Sequence, residues 1–277
     1  MSFRARRTVG RLVLTALALF MAIVFIFPIY WIATMSFQDA ATAAALPPKF
    51  VFTPTLENYV GLFQESSFGI VFANTVDITI GVTLLSLLLG VPAGYALARF
   101  RLGSSEQISF AILSVRILPS YVAVIPLFVI LESVDLFGSA VGVIVAMSIG
   151  STSFVIWMMR AFFMNIPIDL EEAAMIDGCS RLGAIWNVSL PLAAAGLVAT
   201  SVLTAITAWN EFVLVLILGG EAAKTLPVLL GGLVTEERAA WGQLAAGGVL
   251  TMIPVIVFAL LVRRYFLTGM TTGAVNT

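Results

Sequence analysis

The sequence predicts an all-α, polytopic membrane protein with six transmembrane helices. Hydrophobic residues make up 60% of the 277 residues and charged residues only 10%. The mean hydropathy of +1.07 is too high for a soluble domain of this length. Several apolar stretches are long enough to cross a hydrocarbon core about 30 Å thick, which takes about 20 helical residues. These stretches are residues 12–35, 71–97, 108–130, 141–159, 192–218 and 244–262.

The first stretch follows an arginine-rich N-terminus and resembles a cleaved signal peptide in outline. The apolar run is too long for a signal peptide and no small-residue cleavage site follows it cleanly, although Ala40 to Ala45 is a weak competitor. We therefore interpret it as a span. The following residues 36–70 are interrupted by prolines, and they predict an ordered external loop with a short helix at Leu56 to Phe63.

The distribution of basic residues predicts the orientation of the spans. One side of the predicted bundle holds ten arginines, whereas the other side holds only Lys49, Lys224 and Arg238. Because cytoplasmic loops are enriched in basic residues, both termini are predicted to be cytoplasmic. The ten arginines are Arg4, Arg6, Arg7, Arg11, Arg99, Arg101, Arg160, Arg181, Arg263 and Arg264.

These spans and loops give one transmembrane domain. A cytoplasmic N-terminal segment is predicted at residues 1–11 and a cytoplasmic C-terminal tail at residues 265–277. The transmembrane domain between them, residues 12–264, includes a cytoplasmic loop at residues 160–191.

Composition excludes several classes of function. The net charge of −1 leaves no basic face to neutralise phosphates, so no nucleic-acid partner is predicted. Histidine is absent, which excludes imidazole-based proton relays and zinc sites. Cys179 is the only cysteine, so the chain has no internal disulfide and no thiol cluster. No catalytic or metal-binding residue is therefore predicted.

The loop at residues 160–191 has the pattern of two short helices. Pro167 and the acidic residues that follow it favour a helix starting near residue 168, because acids stabilise the positive end of the helix dipole. Gly178 predicts the end of that helix. Ser180 is a candidate N-cap for a second helix, which extends until Pro191 marks the entry to the next span.

This loop resembles the cytoplasmic signature loop of permease subunits in ATP-binding-cassette (ABC) importers. That pattern is Glu-Ala-Ala, three residues, Gly, nine residues, Ile, any residue and Leu-Pro. Here it reads Glu172-Ala173-Ala174, Gly178, Val188 and Leu190-Pro191, with valine replacing isoleucine. A bare Glu-Ala-Ala is common in helices, but the full spacing between two spans is specific.

Two further motifs resemble the carbohydrate branch of these permeases, which has the type I importer fold. They are Trp209-Asn210-Glu211-Phe212 in the fifth span and the tail from Leu267 to Val275. The likeness is to the smaller permease of maltose-type, trehalose-type and glycerol-phosphate-type importers, and it extends over almost the whole chain.

The resemblance implies a set of partners in and around a bacterial inner membrane. They are a second, homologous permease forming a heterodimer, two ATPase subunits, and an extracytoplasmic substrate-binding protein or lipoprotein. The substrate would be a sugar or sugar derivative, and lipid surrounds the spans. The chain has no Walker A glycine loop, so ATP and Mg would be used by the partner ATPase and no cofactor is bound here.

The resemblance also implies that the signature loop transmits force between the ATPase and the spans. ATP binding would close the two ATPase subunits and open a central cavity outward, and hydrolysis would reverse the motion. The candidate coupling residues are Glu171, Glu172, Ala173, Ala174, Asp177, Gly178, Arg181, Leu190 and Pro191. The C-terminal residues Thr272 to Thr277 are a further candidate contact with the ATPase.

Polar residues inside the predicted spans are candidates for the translocation pathway, because an unpaired ion in hydrocarbon is costly and normally faces a partner or water. They would hydrogen-bond sugar hydroxyls or close a gate. Alternatively, the arginine extends toward headgroups and the carboxylates tie helices together. The candidates are Asn74, Asp77, Arg116, Asn210 and Glu211.

Two other classes of protein fit the sequence less well. An ion-coupled secondary transporter would need two related halves and ionisable groups near the midplane, and no duplication is visible. An intramembrane enzyme would need a catalytic arrangement, and no Ser/His, paired-Asp or metal-ligand pattern is present. Within the importer interpretation, the residues do not distinguish a disaccharide from glycerol phosphate.

Overall fold

The computed structural model describes residues 3–65, 67–100, 105–117, 120–234 and 240–273. The regular elements in these ranges are helices, which confirms the all-α fold. In chain order they are α1 (Phe3–Met35), α2 (Ala40–Ala43), α3 (Glu57–Glu65), α4 (Phe68–Arg99), α5 (Ser105–Ile117), α6 (Ser120–Ser133), α7 (Ala140–Met164), α8 (Asp169–Ile176), α9 (Arg181–Ala184), a π-helical segment (Ile185–Ser189), α10 (Leu190–Leu192), α11 (Ala194–Trp209), α12 (Val213–Leu218), α13 (Leu226–Gly231) and α14 (Trp241–Gly273).

Four of the described helices are long and apolar enough to cross a membrane. They correspond to the first, second, fourth and sixth predicted stretches, and a bent pair adds a fifth candidate. The four are Arg11–Met35, Phe68–Arg99, Ala140–Met164 and Trp241–Leu261.

The structure corrects the fifth predicted span, residues 192–218, which is not one continuous helix. The helix turns by 75° between Leu192 and Ala194, and α11 then ends at Trp209. Asn210 closes α11, because its backbone N–H and its side-chain Nδ2 both donate to the carbonyl of Ile206, at 3.2 and 2.7 Å. Short polar side chains compete in this way with the helical backbone, and hydropathy alone does not register it.

The third predicted span, residues 108–130, lies within two described helical segments, α5 and α6, which end at Ile117 and begin at Ser120. Residues 118–119 between them lie outside the described residues, so the count of six spans stays a prediction.

The first of two compact units comprises Met1–Phe68 and Leu230–Met252. Helix α3 in this unit confirms the short helix predicted at residues 56–63. Its buried Asn58 donates from Nδ2 to the carbonyls of Ser36 and Gln38, at 3.0 and 2.6 Å. These hydrogen bonds hold α3 against the end of α1.

The second unit comprises Gly69–Leu229 and Ile253–Thr277. In this unit α4 and α7 approach closely at two glycines. A Cβ on Gly94 would lie 3.0 Å from both Arg160 N and Ile156 O, and a Cβ on Gly90 would lie 2.7 Å from Val155 Cβ. Glycines four residues apart are a common means of packing membrane helices at short distance. The same two helices bury Tyr95, Val155, Met159 and Phe163 nearer the end of α4.

Candidate coupling loop and translocation cavity

Helix α8 begins and ends where the sequence predicts. Three acidic residues lie in its first turn, next to the positive end of the helix dipole. At its end, the N–H of Cys179 donates to Ala174 O and that of Gly178 to Met175 O, at 3.0 and 3.1 Å. This pair of bonds is a Schellman motif, and it requires a left-handed residue that Gly178 supplies with φ of +96°.

The second half of the loop also follows the predicted pattern at its start. Ser180 caps α9, since its Oγ accepts a hydrogen bond from Gly183 N at 3.1 Å. After one turn the helix widens into the π-helical segment Ile185–Ser189, directly before Leu190-Pro191. Proline cannot donate the hydrogen bond that an α-helix requires there, and a π-turn accommodates the missing bond.

The predicted coupling residues differ in their exposure. Glu171 is buried, with 4% of its surface exposed, although its neighbour Glu172 is exposed. Ala174 and Leu190 are half-buried. The other exposed members of the set are Ala173, Asp177, Gly178, Arg181 and Pro191.

The three most exposed large apolar side chains of the loop were not among the predicted site residues. Ile176 on α8 is 85% exposed, Leu182 on α9 is 69% exposed, and Trp186 in the π-helical segment is 70% exposed. We call them the apolar triplet. Leu182 and Trp186 are four residues apart, the spacing that puts two side chains on one helix face, so periodicity was the available signal.

The buried carboxylate of Glu171 is held by three side chains. Its Oε1 accepts from Arg99 Nε at 2.8 Å and from Ser189 Oγ at 2.6 Å, and it forms an ion pair with Arg99 Nη2 at 2.7 Å. Its Oε2 accepts from the Tyr95 hydroxyl at 2.7 Å. Burial alone would raise the pKa of Glu171, but the hydrogen bonds from Arg99, Ser189 and Tyr95 outweigh it and lower the pKa below its usual value. The group is therefore a carboxylate at neutral pH.

Arg116 and Glu211 line one cavity of about 450 Å³ in the second unit. Arg116 projects from α5 and stacks over the ring of Phe154, with the guanidinium carbon 4.2 Å from the ring centroid. Glu211 also caps α12, because its Oε1 accepts from Leu214 N at 3.1 Å. Thr207 and Ser151 add hydroxyl groups to an otherwise apolar wall. Such a cavity has the size and the few convergent polar groups of a small-molecule site.

The other three pathway candidates do not line that cavity in the described part of the chain. Asn74 donates from Nδ2 to the carbonyls of Ala222 and Lys224, at 2.9 and 3.2 Å, and so anchors the loop between α12 and α13. Asp77 is exposed on α4, and Asn210 closes α11. The sequence grouped these residues only by their predicted depth in the membrane, and the structure places them in different surroundings.

Long apolar helices, an exposed helical loop and a partly polar cavity are features of the membrane subunit of a transporter. Among the described residues, no cluster of histidine, cysteine and acidic side chains suits a metal ion. Residues 90–272 match the family of binding-protein-dependent transport system inner membrane components. The chain belongs to this family. It is a multi-pass inner-membrane permease of the ABC importer class, which confirms the resemblance inferred from the signature loop and argues against an ion-coupled secondary transporter.

Named relatives and a solved structure agree with this assignment. The chain is 35% identical over 254 residues to the trehalose transport system permease protein SugB of Mycobacterium tuberculosis, covering 90% of this chain and 92% of that protein. It is 31% identical to the trehalose/maltose transport system permease protein MalG of Thermococcus litoralis, covering 96% and 97% respectively. The structure matches a chain of a bacterial ABC transporter involved in the import of the acidic polysaccharide alginate, with a TM-score of 0.78, 26% identity and coverage of 96% and 99%.

Proposed function

We propose that this permease carries a carbohydrate across the inner membrane and is driven by a separate ATPase that docks on the α8–α9 loop. The observation that carries the proposal is the apolar triplet, which lies exposed on a helical loop between two spans. The permease would form half of the translocation pathway. A second, homologous permease would supply the other half.

The apolar triplet has the composition of a protein docking surface. A large apolar patch rimmed by polar residues marks an interaction site, and tryptophan is enriched among the residues that dominate binding energy. Here Glu172, Asp177 and Arg181 are the exposed charged neighbours of the triplet along the chain. Ala173 adds no bulk, so a partner groove can approach the backbone of α8.

The orientation and the other partners follow from this docking. The arginine bias favours a cytoplasmic position for both termini and for the loop, where an ATPase would have access to it. Two ATPase subunits would bind ATP and Mg, and this chain would bind neither. An extracytoplasmic binding protein or lipoprotein would deliver the substrate to the opposite face.

The cavity that contains Arg116 and Glu211 is the proposed segment of the translocation pathway in this subunit. Sugar hydroxyls act as both donors and acceptors, so a guanidinium, a carboxylate and two hydroxyls suit them. Two relatives named for trehalose or maltose transport and one solved transporter of alginate support a carbohydrate substrate.

Uptake by the complete complex tests the transport proposal. The four-subunit complex in proteoliposomes, with its binding protein outside and ATP inside, is expected to accumulate a radiolabelled disaccharide and to hydrolyse ATP. Uptake driven by an ion gradient without ATP would contradict the proposal. Accumulation of amino acids but of no sugar or glycerol phosphate would contradict the carbohydrate assignment.

A substitution in the apolar triplet tests the docking surface. Ile176→Asp puts a charge on the most exposed side chain of the apolar triplet and is expected to abolish co-purification of the ATPase subunits with the permease. Val51→Asp is the matched control, because Val51 is 91% exposed in the loop between α2 and α3. Equal recovery of ATPase with both variants would refute docking at this loop.

A further inference from the structure

The adjacent acidic residues of the signature loop point to different environments. Glu172 is exposed on α8, whereas the side chains of Glu171 and Arg99 are only 6% and 7% exposed. Successive helical residues are rotated by about 100°, so one of two neighbouring acids can face a partner while the other faces the protein interior. The buried one is engaged entirely within this chain.

The contacts of Glu171 join α8 to two other segments, and Arg99 adds a third. Tyr95 and Arg99 belong to the last turns of α4, and Ser189 ends the π-helical segment that leads into α10. Arg99 Nη2 also donates to the carbonyl of Ile166, between α7 and α8, at 3.0 Å. The Tyr95 ring is in turn fixed edge-on against Phe163 of α7, with centroids 5.3 Å apart. We call Glu171, Arg99, Tyr95 and Ser189 the buried polar cluster.

We propose that Glu171 is a positioning residue that fastens α8 to the end of α4 and to the segment entering α11. A displacement of α8 by the ATPase would then move these helices together rather than bending the loop alone. The inference rests on the proposed docking of the ATPase on α8. It assigns a separate role to each of the two adjacent acids: Glu172 contacts the ATPase, and Glu171 transmits the movement of α8 to the other helices of this chain.

A hydrogen-bonded ion pair suits the fastening of α8 to α4 better than apolar packing does. A buried ion pair is seldom needed for stability, since apolar side chains of similar volume often replace it without loss. Hydrogen bonds are directional, however, and the carboxylate here accepts from three side chains on two other segments in one arrangement. Apolar side chains filling the same space would leave α8 free to slide against α4.

The test measures substrate uptake per ATP hydrolysed by the complete complex with its binding protein in proteoliposomes. Glu171→Gln removes the charge but keeps the shape, and the ratio of uptake to hydrolysis is expected to fall by at least about tenfold in assembled complex, the effect of losing one hydrogen bond to a charged group. Glu172→Gln is the neighbouring control, and its expected defect is in ATPase co-purification. An unchanged ratio for Glu171→Gln would overturn the proposal.

A double variant separates positioning from packing. Arg99→Leu with Glu171→Leu fills the buried space without polar atoms, and it is expected to assemble and hydrolyse ATP while the uptake ratio stays low. Recovery of the wild-type ratio in this double variant would show that the cluster only fills space, and it would overturn the proposal.

A milder variant covers the case in which Glu171→Gln does not assemble. Tyr95→Phe removes a single hydroxyl from the cluster and is expected to lower the uptake ratio at unchanged complex yield; an unchanged ratio would count against the proposal. A failure of the docking proposal would be recognised separately. In that case Ile176→Asp would leave co-purification of the ATPase intact, and this result does not depend on the variants of the buried polar cluster.

Discussion

The packing of α4 on α7 predicts that Gly94 cannot be enlarged. The nearest atoms to an added Cβ are the backbone atoms Arg160 N and Ile156 O, both at 3.0 Å, followed by Met159 Cβ at 3.1 Å. Backbone atoms within a helix cannot move aside individually, so Gly94→Ala must push the two helices apart. Overpacking of this kind costs about 1–3 kcal/mol.

Gly69 is the matched control for this substitution. It lies near the start of the same helix, and an added Cβ there would meet nothing within 4 Å. Alanine is favoured over glycine in a helix by about 1 kcal/mol. Because this gain applies to both variants, the difference in stability between Gly94→Ala and Gly69→Ala isolates the overpacking cost of about 1–3 kcal/mol.

Thermal unfolding of the purified permease complex in detergent measures this difference. At about 2–4 °C per kcal/mol, Gly94→Ala is expected to unfold several degrees below Gly69→Ala. Gly90→Ala is expected to behave like Gly94→Ala, since its Cβ would meet Val155 Cβ at 2.7 Å. Equal midpoints for Gly94→Ala and Gly69→Ala would refute the close approach of α4 and α7.

Three further predictions concern single groups. Glu211→Ala removes the cap of α12 and is expected to lower the free energy of unfolding by about 1 kcal/mol. Glu211→Gln keeps an acceptor oxygen for the cap and loses only the charge. Unfolding midpoints therefore measure the capping role of Glu211, and uptake measures the role of its charge in the cavity. Gly178→Val is expected to lower the uptake ratio with normal insertion, since φ of +96° strains any side chain although nothing blocks a Cβ, and Gly178→Asn should be milder. Because the pKa of Glu171 is lowered in the folded protein, the carboxylate contributes its full stabilisation of the fold above the usual pKa of 4.5, and this stabilisation is lost as the pH falls through the lower folded pKa. The difference in unfolding midpoint between the wild type and Glu171→Gln is therefore expected to be constant at about pH 6–8 and to shrink below about pH 4.5.

Local chemistry made the signature loop predictable from its sequence. Gly178 is needed where the chain must turn left-handed, and Ser180 caps the helix that follows, so both signals lie within a few residues of the structure they determine. The four long spans were equally accessible, because about 20 apolar residues leave few alternatives.

Long-range contacts were not predictable in the same way. Nothing in the pair Glu171-Glu172 indicates which acid is buried, because that depends on the distant Arg99 and Tyr95. The cavity likewise joins Arg116 with Glu211, which are far apart in sequence. Averaged hydropathy does not predict the helix end at Trp209, because the average conceals two polar residues, Asn210 and Glu211, whose side chains each hydrogen-bond to nearby backbone atoms.

The anchoring of α4 near both of its ends has a consequence for signalling across the bilayer. Near its start, Asn74 binds the carbonyls of Ala222 and Lys224, and Thr75 Oγ1 accepts from Leu226 N at 2.9 Å. Twenty residues later, a distance of about 30 Å, Tyr95 holds Glu171. A spectroscopic label on the loop between α12 and α13 should therefore report nucleotide-driven movement of α8, although the label and the nucleotide would lie on opposite faces of the membrane.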